Sequence, residues 1–510
     1  MPRFKRRAHA EVDEGSQGPE AVRVAPLELF FRALVGSVLV TLVTACAGCT
    51  PARLAPPPPP YVPVAKADAE GPSAPIRYSV SFEPVGQMLA VEAVFPKGTP
   101  ASFAVENGSE AWLEDLRVAP LDARSEAFVP LGLAADGMVH AACAAGCTLR
   151  YRYALGASGR RRKDIDCART DGPYVEAPPS TWLLAPVGGN PETQLSFDVH
   201  VPEGTVFVSG LGADADGSRR TSVGALRRSP YSAFGPFEVI SVVERDVTLS
   251  IALPRQGRTI EASRVVTWAK KSAAAVRAAL GVFPAKHAAL LVSVNSGDDV
   301  DVGFSLAGSS IILRVGEHTS EATFAKDWVL THEMLHFACP SQPVSRDWAE
   351  EGLATYVEPF ARVRAGLVSR EEAWKGLVRG FPYGQPDSDD RGLDLTRTWG
   401  RVYWGGALFY FEADYAIRTR TSGKKTLFDA LGAIVAAGGT NPSAWSLEKA
   451  FAIGDAATGV PVLGEMLARY GATPEPFAYE AHLTELGVRS GKSSVELDGS
   501  APRADLTRAW

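Results

Sequence analysis

"LTHEMLHFACP", residues 330–340, sets two histidines four residues apart with a glutamate directly after the first. The chain holds only eight histidines in 510 residues, so a pair at this spacing carries information. The segment 325–338 reads as a helix, and in a helix residues four apart leave the same face about one turn apart. His332 and His336 therefore have the geometry of two ligands to a tetrahedral Zn²⁺. Glu333 projects beside them, placed to take a proton from a zinc-activated water. The bland alternative is a chance pairing in a core helix. A zinc site needs a third ligand, and the rest of the chain has to supply it.

Fourteen residues separate His336 from Glu351, in "RDWAEEGLATYVEP" (346–359). Ser345 is a plausible N-cap and Pro359 a plausible end for a second helix, and two helices joined by a loop can bring Glu351 back to the histidines. This stretch resembles the glutamate-zincin peptidases of the MA clan, whose third ligand is the glutamate of a W-L-N-E-G segment. Here the segment is "WAEEG", so Glu351 matches the ligand and Glu350 takes the asparagine's place. Aminopeptidase N relatives have a longer spacing, so the resemblance implies a tighter connecting loop here.

Further on, "RVYWGGALFYFEADYAIRTRTSGKKTLFDAL" (401–431) resembles the downstream helix of the glycyl aminopeptidase family. In that family a tyrosine in Y-x-x-G donates a hydrogen bond to the tetrahedral intermediate, and Tyr403 holds its position. The resemblance covers about residues 256–490. It departs from the family twice. No peptide-binding PDZ domain is expected after the catalytic helices. The counterpart that the resemblance implies for the aminopeptidases' amine-binding segment, "DVGFSLAGSSIIL" (301–313), lacks their glutamate, although Glu350 or another acid could substitute. Cys339 could point toward the metal, but with Glu351 present it reads as a buried core thiol.

Outside the motifs the composition is that of a globular chain, 46% hydrophobic and 22% charged. A net charge of -6 leaves no basic footprint, which argues against nucleic acid as a partner. Near the N-terminus an uninterrupted apolar run from Ala33 to Ala45 has the size of a signal-peptide core and is short for a membrane span. It closes on "VTAC", which resembles a bacterial lipobox and makes Cys46 the candidate for lipidation. A plain signal peptide or an anchor helix is the alternative. The proline-dense stretch after it reads as a stiff, extended spacer. Cys143, Cys147 and Cys167 allow one disulfide, with the pairing open.

From 76 to about 253 the apolar residues alternate, as Tyr78, Val80 and Phe82 do, and again Leu195, Phe197, Val199 and Val201. Period two with turn residues between implies half-buried strands. "DVTLSIAL" (246–253) reads as one more of them. "TIEASRVVTWAKKSAAAVRAALG" then switches to helical spacing and closes on Gly281, 288–294 and 309–315 read as short buried strands, and everything after Thr323 reads as mainly helical.

The expected fold is α+β and multidomain. Residues 1–46 are a signal peptide with lipobox and 47–75 a proline-rich linker. An N-terminal β-sandwich follows over 76–255, then a mostly helical, thermolysin-like zinc peptidase domain over 256–490 and a disordered tail over 491–510. The expected activity is zinc-dependent hydrolysis of peptide or protein substrates at the bacterial cell envelope. His332, His336 and Glu351 would hold the metal, Glu333 and Tyr403 would be catalytic, and a lipid anchor at Cys46 would give contact with the membrane. The rival reading is an envelope lipoprotein that is catalytically silent, or that hydrolyses something other than peptides.

Overall fold

A computed structural model describes residues 74–507 apart from 122–126, 162–167, 306–307 and 492–493. The proposed leader, Cys46, nearly all of the proline-rich stretch and Cys167 lie outside the described residues. Among the described residues no helix is long and apolar enough to cross a membrane.

The strand Ile76–Glu83 shows why the first part of the chain is layered. Its residues alternate buried and exposed, with Ile76, Tyr78, Val80 and Phe82 inward. It pairs antiparallel with Met88–Phe95 and parallel with Gln194–His200 at the centre of a seven-stranded sheet. One face of that sheet is apolar and has to be covered. Residues of a three-stranded and a four-stranded sheet share its core: Phe103, Val175 and Phe234, with Trp182 from just after the turn Pro179–Thr181, join Tyr78, Phe95 and Phe197 in one cluster. Phe82 stacks on Phe234 with ring centroids 4.7 Å apart. Among the described cysteines, Cys143 and Cys147 form a disulfide.

The expected boundary at 255 needs correcting. Strands β1 (Phe237–Glu244) and β2 (Val247–Pro254), read as part of the N-terminal β domain, belong to the sheet of the following one. Period two reports that a strand is half-buried and does not report which sheet holds it. β2 lies parallel to β3 (His287–Asn295), and a parallel pair needs a crossover. Helix α1 (Ala262–Leu280) supplies it, and Gly281 at φ 78° stops the helix in the left-handed region that glycine tolerates. β4 (Val300–Ser305) and β5 (Ser310–Gly316) complete a sheet of order β1-β2-β3-β5-β4, with β4 antiparallel at the edge.

The remainder is helical, as the periodicity implies. α2 (Glu321–Lys326) and α3 (Val329–Leu335) lead to α4 (Asp347–Arg364) and α5 (Arg370–Gly380). A π-turn over Gly400–Gly405 opens α6 (Gly406–Arg420), and four further helices follow before residue 487. α1, α3, α4 and α6 bury their apolar residues in one core with the inner face of the sheet. Where the tail expected to be disordered is among the described residues, it holds regular elements. Val488–Ser490 pairs with Val495–Leu497, a short helix follows at Ala504–Thr507, and Val488, Val495 and Leu506 are buried. Three-residue strands are too short to show a period, so this hairpin leaves no pattern to read.

Candidate metal centre

α3 is short and nearly all of it is buried. Leu330, Met334 and Leu335 enter the core, while His332 and His336 share the opposite face with ring centroids 5.0 Å apart. The start of α3 is tied down by Asp327, whose carboxylate accepts the Leu330 N–H at 3.2 Å and the Trp268 indole N–H at 2.9 Å. Burial pushes the Asp327 carboxyl up to about 6, against the opposing pull of those donors.

α4 brings Glu351 to the pair. Glu351 Oε2 lies 3.2 Å from His332 Nε2 and 3.5 Å from His336 Nε2. Among the described residues these three side chains form the one group whose donor atoms could hold a metal ion, all within 4.8 Å of one another. A tetrahedral zinc with bonds near 2.0–2.1 Å sets its ligand atoms about 3.4 Å apart, so the observed separations fit that ion. Burial lowers the pKa of His332, outweighing the carboxylate beside it. A neutral imidazole is the form that ligates a metal.

What holds α4 in place was mostly hidden in the sequence. The Trp348 indole N–H donates to Asp394 Oδ1 at 2.8 Å, and Arg346 Nε reaches the other oxygen at 3.1 Å. Tyr410 of α6 donates to the Ala349 carbonyl at 2.9 Å. Gly352 lies directly against Gly406, where a Cβ on either would come within 2.3 Å of the facing backbone. Ser345 does not cap α4, and Pro359 lies inside the helix rather than ending it. The helix continues past the proline because Phe360 and Ala361 are fully buried and Arg362 bonds Glu358 at 3.0 Å, one turn back.

Glu333 is 1% exposed and lies outside the three-atom group. Its Oε2 accepts the Ser305 backbone N–H of β4 at 2.7 Å. β4 comes this close because residue 303 is glycine: a Cβ there would lie 2.6 Å from Val329 and 2.7 Å from Glu333. An interior strand glycine often marks such an approach, and this was the available signal. Leu306 and Ala307 of the same segment lie outside the described residues.

Tyr403 sits in the π-turn, a local irregularity frequent at functional sites. Its ring lies nearly parallel to that of His332, 13° between planes and 6.5 Å between centroids. Burial first, then the carboxylates of Glu351 and Glu333, push its phenol well above the usual range, so it remains a protonated donor. The turn is anchored by Arg401, 2% exposed, whose Nε meets Asp390 Oδ2 at 2.6 Å.

One further acid and one thiol find other roles. Glu350 accepts the Gln342 backbone N–H at 2.7 Å, and burial pushes its carboxyl to about 7. That engages it with the loop before α4. Cys339 is a buried thiol in the main core, its pKa raised by burial.

The sheet, the crossover and the helices around this group match known folds. An aminopeptidase N family protein from Idiomarina loihiensis superposes with a TM-score of 0.61 at 14% identity, covering 82% of this chain and 82% of that one. An M1 zinc metallopeptidase variant from Deinococcus radiodurans, solved with a Tyr-Ser-Ala substrate, gives 0.48 at 13% identity over 80% of this chain and 96% of that one. No protein-family profile matches the chain, and no curated protein is significantly similar to it in sequence. The chain thus has the fold of the aminopeptidase N structure, consistent with the glutamate-zincin resemblance read from its motifs.

Proposed function

We propose that this chain is a zinc-dependent metallopeptidase. The observation that carries the reading is the three-atom donor group of His332, His336 and Glu351, with the Glu333 carboxylate buried beside it. When bound there, zinc supplies a Lewis acid for the scissile carbonyl and brings the pKa of a water to about 7. Glu333 accepts a proton from the attacking water and returns it to the departing amine, which balances the hydrolysis. The Ser305 N–H holds that carboxylate in one orientation. Tyr403 donates its phenol proton as a hydrogen bond to the oxyanion, a contribution of about 3 kcal/mol for a donor of this kind. The silent-binder alternative would lead one to expect a lost ligand or base, and all are present in the sequence. The apolar leader ending at Cys46 supports a place on the bacterial cell envelope, lipid-anchored and standing clear of the membrane on a proline-rich spacer.

Incubation of zinc-loaded protein with a mixed peptide library tests the reading. The wild type should cleave, Glu333→Gln should lose at least about 10³-fold while keeping its metal, and Tyr403→Phe should lose about 10²-fold. Undiminished cleavage by Glu333→Gln would refute the mechanism.

A further inference from the structure

A row of rings leads outward from the metal group. Tyr403 lies over His332, and Trp399 stacks with Tyr403 at 6.3 Å and 29°. Tyr383, in the 3-10 turn Phe381–Gly384, meets Trp399 edge-on at 5.7 Å. Exposure rises along the row: His332 is 4% exposed, Tyr403 and Trp399 are half-buried, and Tyr383 is 63% exposed. Backbone contact fixes the outer members together, because a Cβ on Gly400 would lie 2.2 Å from the Tyr383 carbonyl oxygen.

One feature of this row is unexplained by packing alone. A large aromatic ring as exposed as Tyr383 gains little for the fold, yet here it extends a ladder that starts at a metal ligand. The ring faces of the row would take an apolar side chain in the offset or edge-on geometry aromatic pairs prefer.

We infer that Trp399 and Tyr383, continuing from Tyr403, form a subsite for an aromatic side chain next to the scissile bond. This rests on the peptidase reading above, and it narrows the substrates to peptides with phenylalanine, tyrosine or tryptophan near the cleaved bond.

The test is equilibrium binding to the zinc-loaded Glu333→Gln protein, so that it does not depend on turnover. The probes are N-acetyl-pentaalanine amide and its five variants carrying one phenylalanine at each position in turn. One position should bind about tenfold tighter than the all-alanine peptide, equivalent to about 1.4 kcal/mol. Adding Tyr383→Ala, a surface change, should reduce that ratio to about threefold. Trp399→Ala should bring it near one, and Trp399→Phe should restore most of it. A wild-type ratio below twofold at every position overturns the subsite, as does a ratio unmoved by both alanine variants. Library cleavage by the wild type separates the two claims: cleavage with no aromatic preference sinks the subsite alone, and preferential binding with no cleavage sinks the peptidase reading alone.

Discussion

Gly406→Ala is the most informative single change to the scaffold. The new Cβ would lie 2.2 Å from the Trp348 carbonyl oxygen and 2.7 Å from Gly352 Cα. Ordinary contact requires about 3.5 Å, so α4 and α6 must part by roughly 1 Å. Two effects on stability oppose each other. Alanine gains about 1 kcal/mol over glycine as a helix former, while forcing an overpacked contact costs about 1–3 kcal/mol. The clash involves backbone on both sides and has no flexible side chain to yield, so the overpacking cost should sit at its upper end and win by up to about 2 kcal/mol. The effect on turnover should be larger. α4 carries Glu351 and the π-turn before α6 carries Tyr403, so parting the helices moves a metal ligand and the oxyanion donor away from His332. A misplacement near 1 Å costs up to about 10²-fold in rate. Urea unfolding, zinc content and kcat/KM on one peptide should be measured together. A Gly406→Ala protein as stable and as active as the wild type would refute the idea that this glycine contact positions the site.

Three other outcomes follow from the same structure. Asp327, raised to about 6 against an unfolded value near 3.9, binds its proton more tightly when folded. Its contribution to stability is therefore fully present below about pH 4 and lost as pH rises through 6. Asp327→Asn should gain up to about 3 kcal/mol relative to wild type between pH 4 and pH 7.5 in urea unfolding, and a pH-independent difference would contradict this. β4 contributes Asp301 as its carboxylate, and that group pairs with Arg314 at 4.0 Å, so N-acetylated peptides should be cleaved at rates comparable to free ones. A hundredfold preference for the free amine, about 2.7 kcal/mol, would reveal an acidic anchor elsewhere. Cys46→Ser should release the protein from membranes in cell fractionation; retention would favour an uncleaved anchor helix.

The site was more legible than its supports. The i,i+4 histidines announce a shared helix face, and family resemblance carried Glu351 and Tyr403, which spacing alone leaves ambiguous. The strands were legible through period two, but the same pattern fits either sheet, so 237–254 was placed in the wrong one. The groups that fix the site in space gave no signal. Asp390 and Asp394 sit in "PDSDDRGLDL", an acidic run with no apolar period. Yet Asp390 is a buried partner of Arg401, and Asp394 anchors Trp348 from 46 residues away. Partners so distant in sequence are chosen by the fold, and burial of a charge is decided only once the partner arrives.

Zinc content is the most direct test of the central claim that His332, His336 and Glu351 form one metal site. Elemental mass spectrometry on dialysed protein should find close to one zinc per wild-type chain and a small fraction of that in His336→Ala, with both proteins folded by circular dichroism. Zinc unchanged in His336→Ala, or absent from a wild-type chain supplied with zinc, would contradict the account.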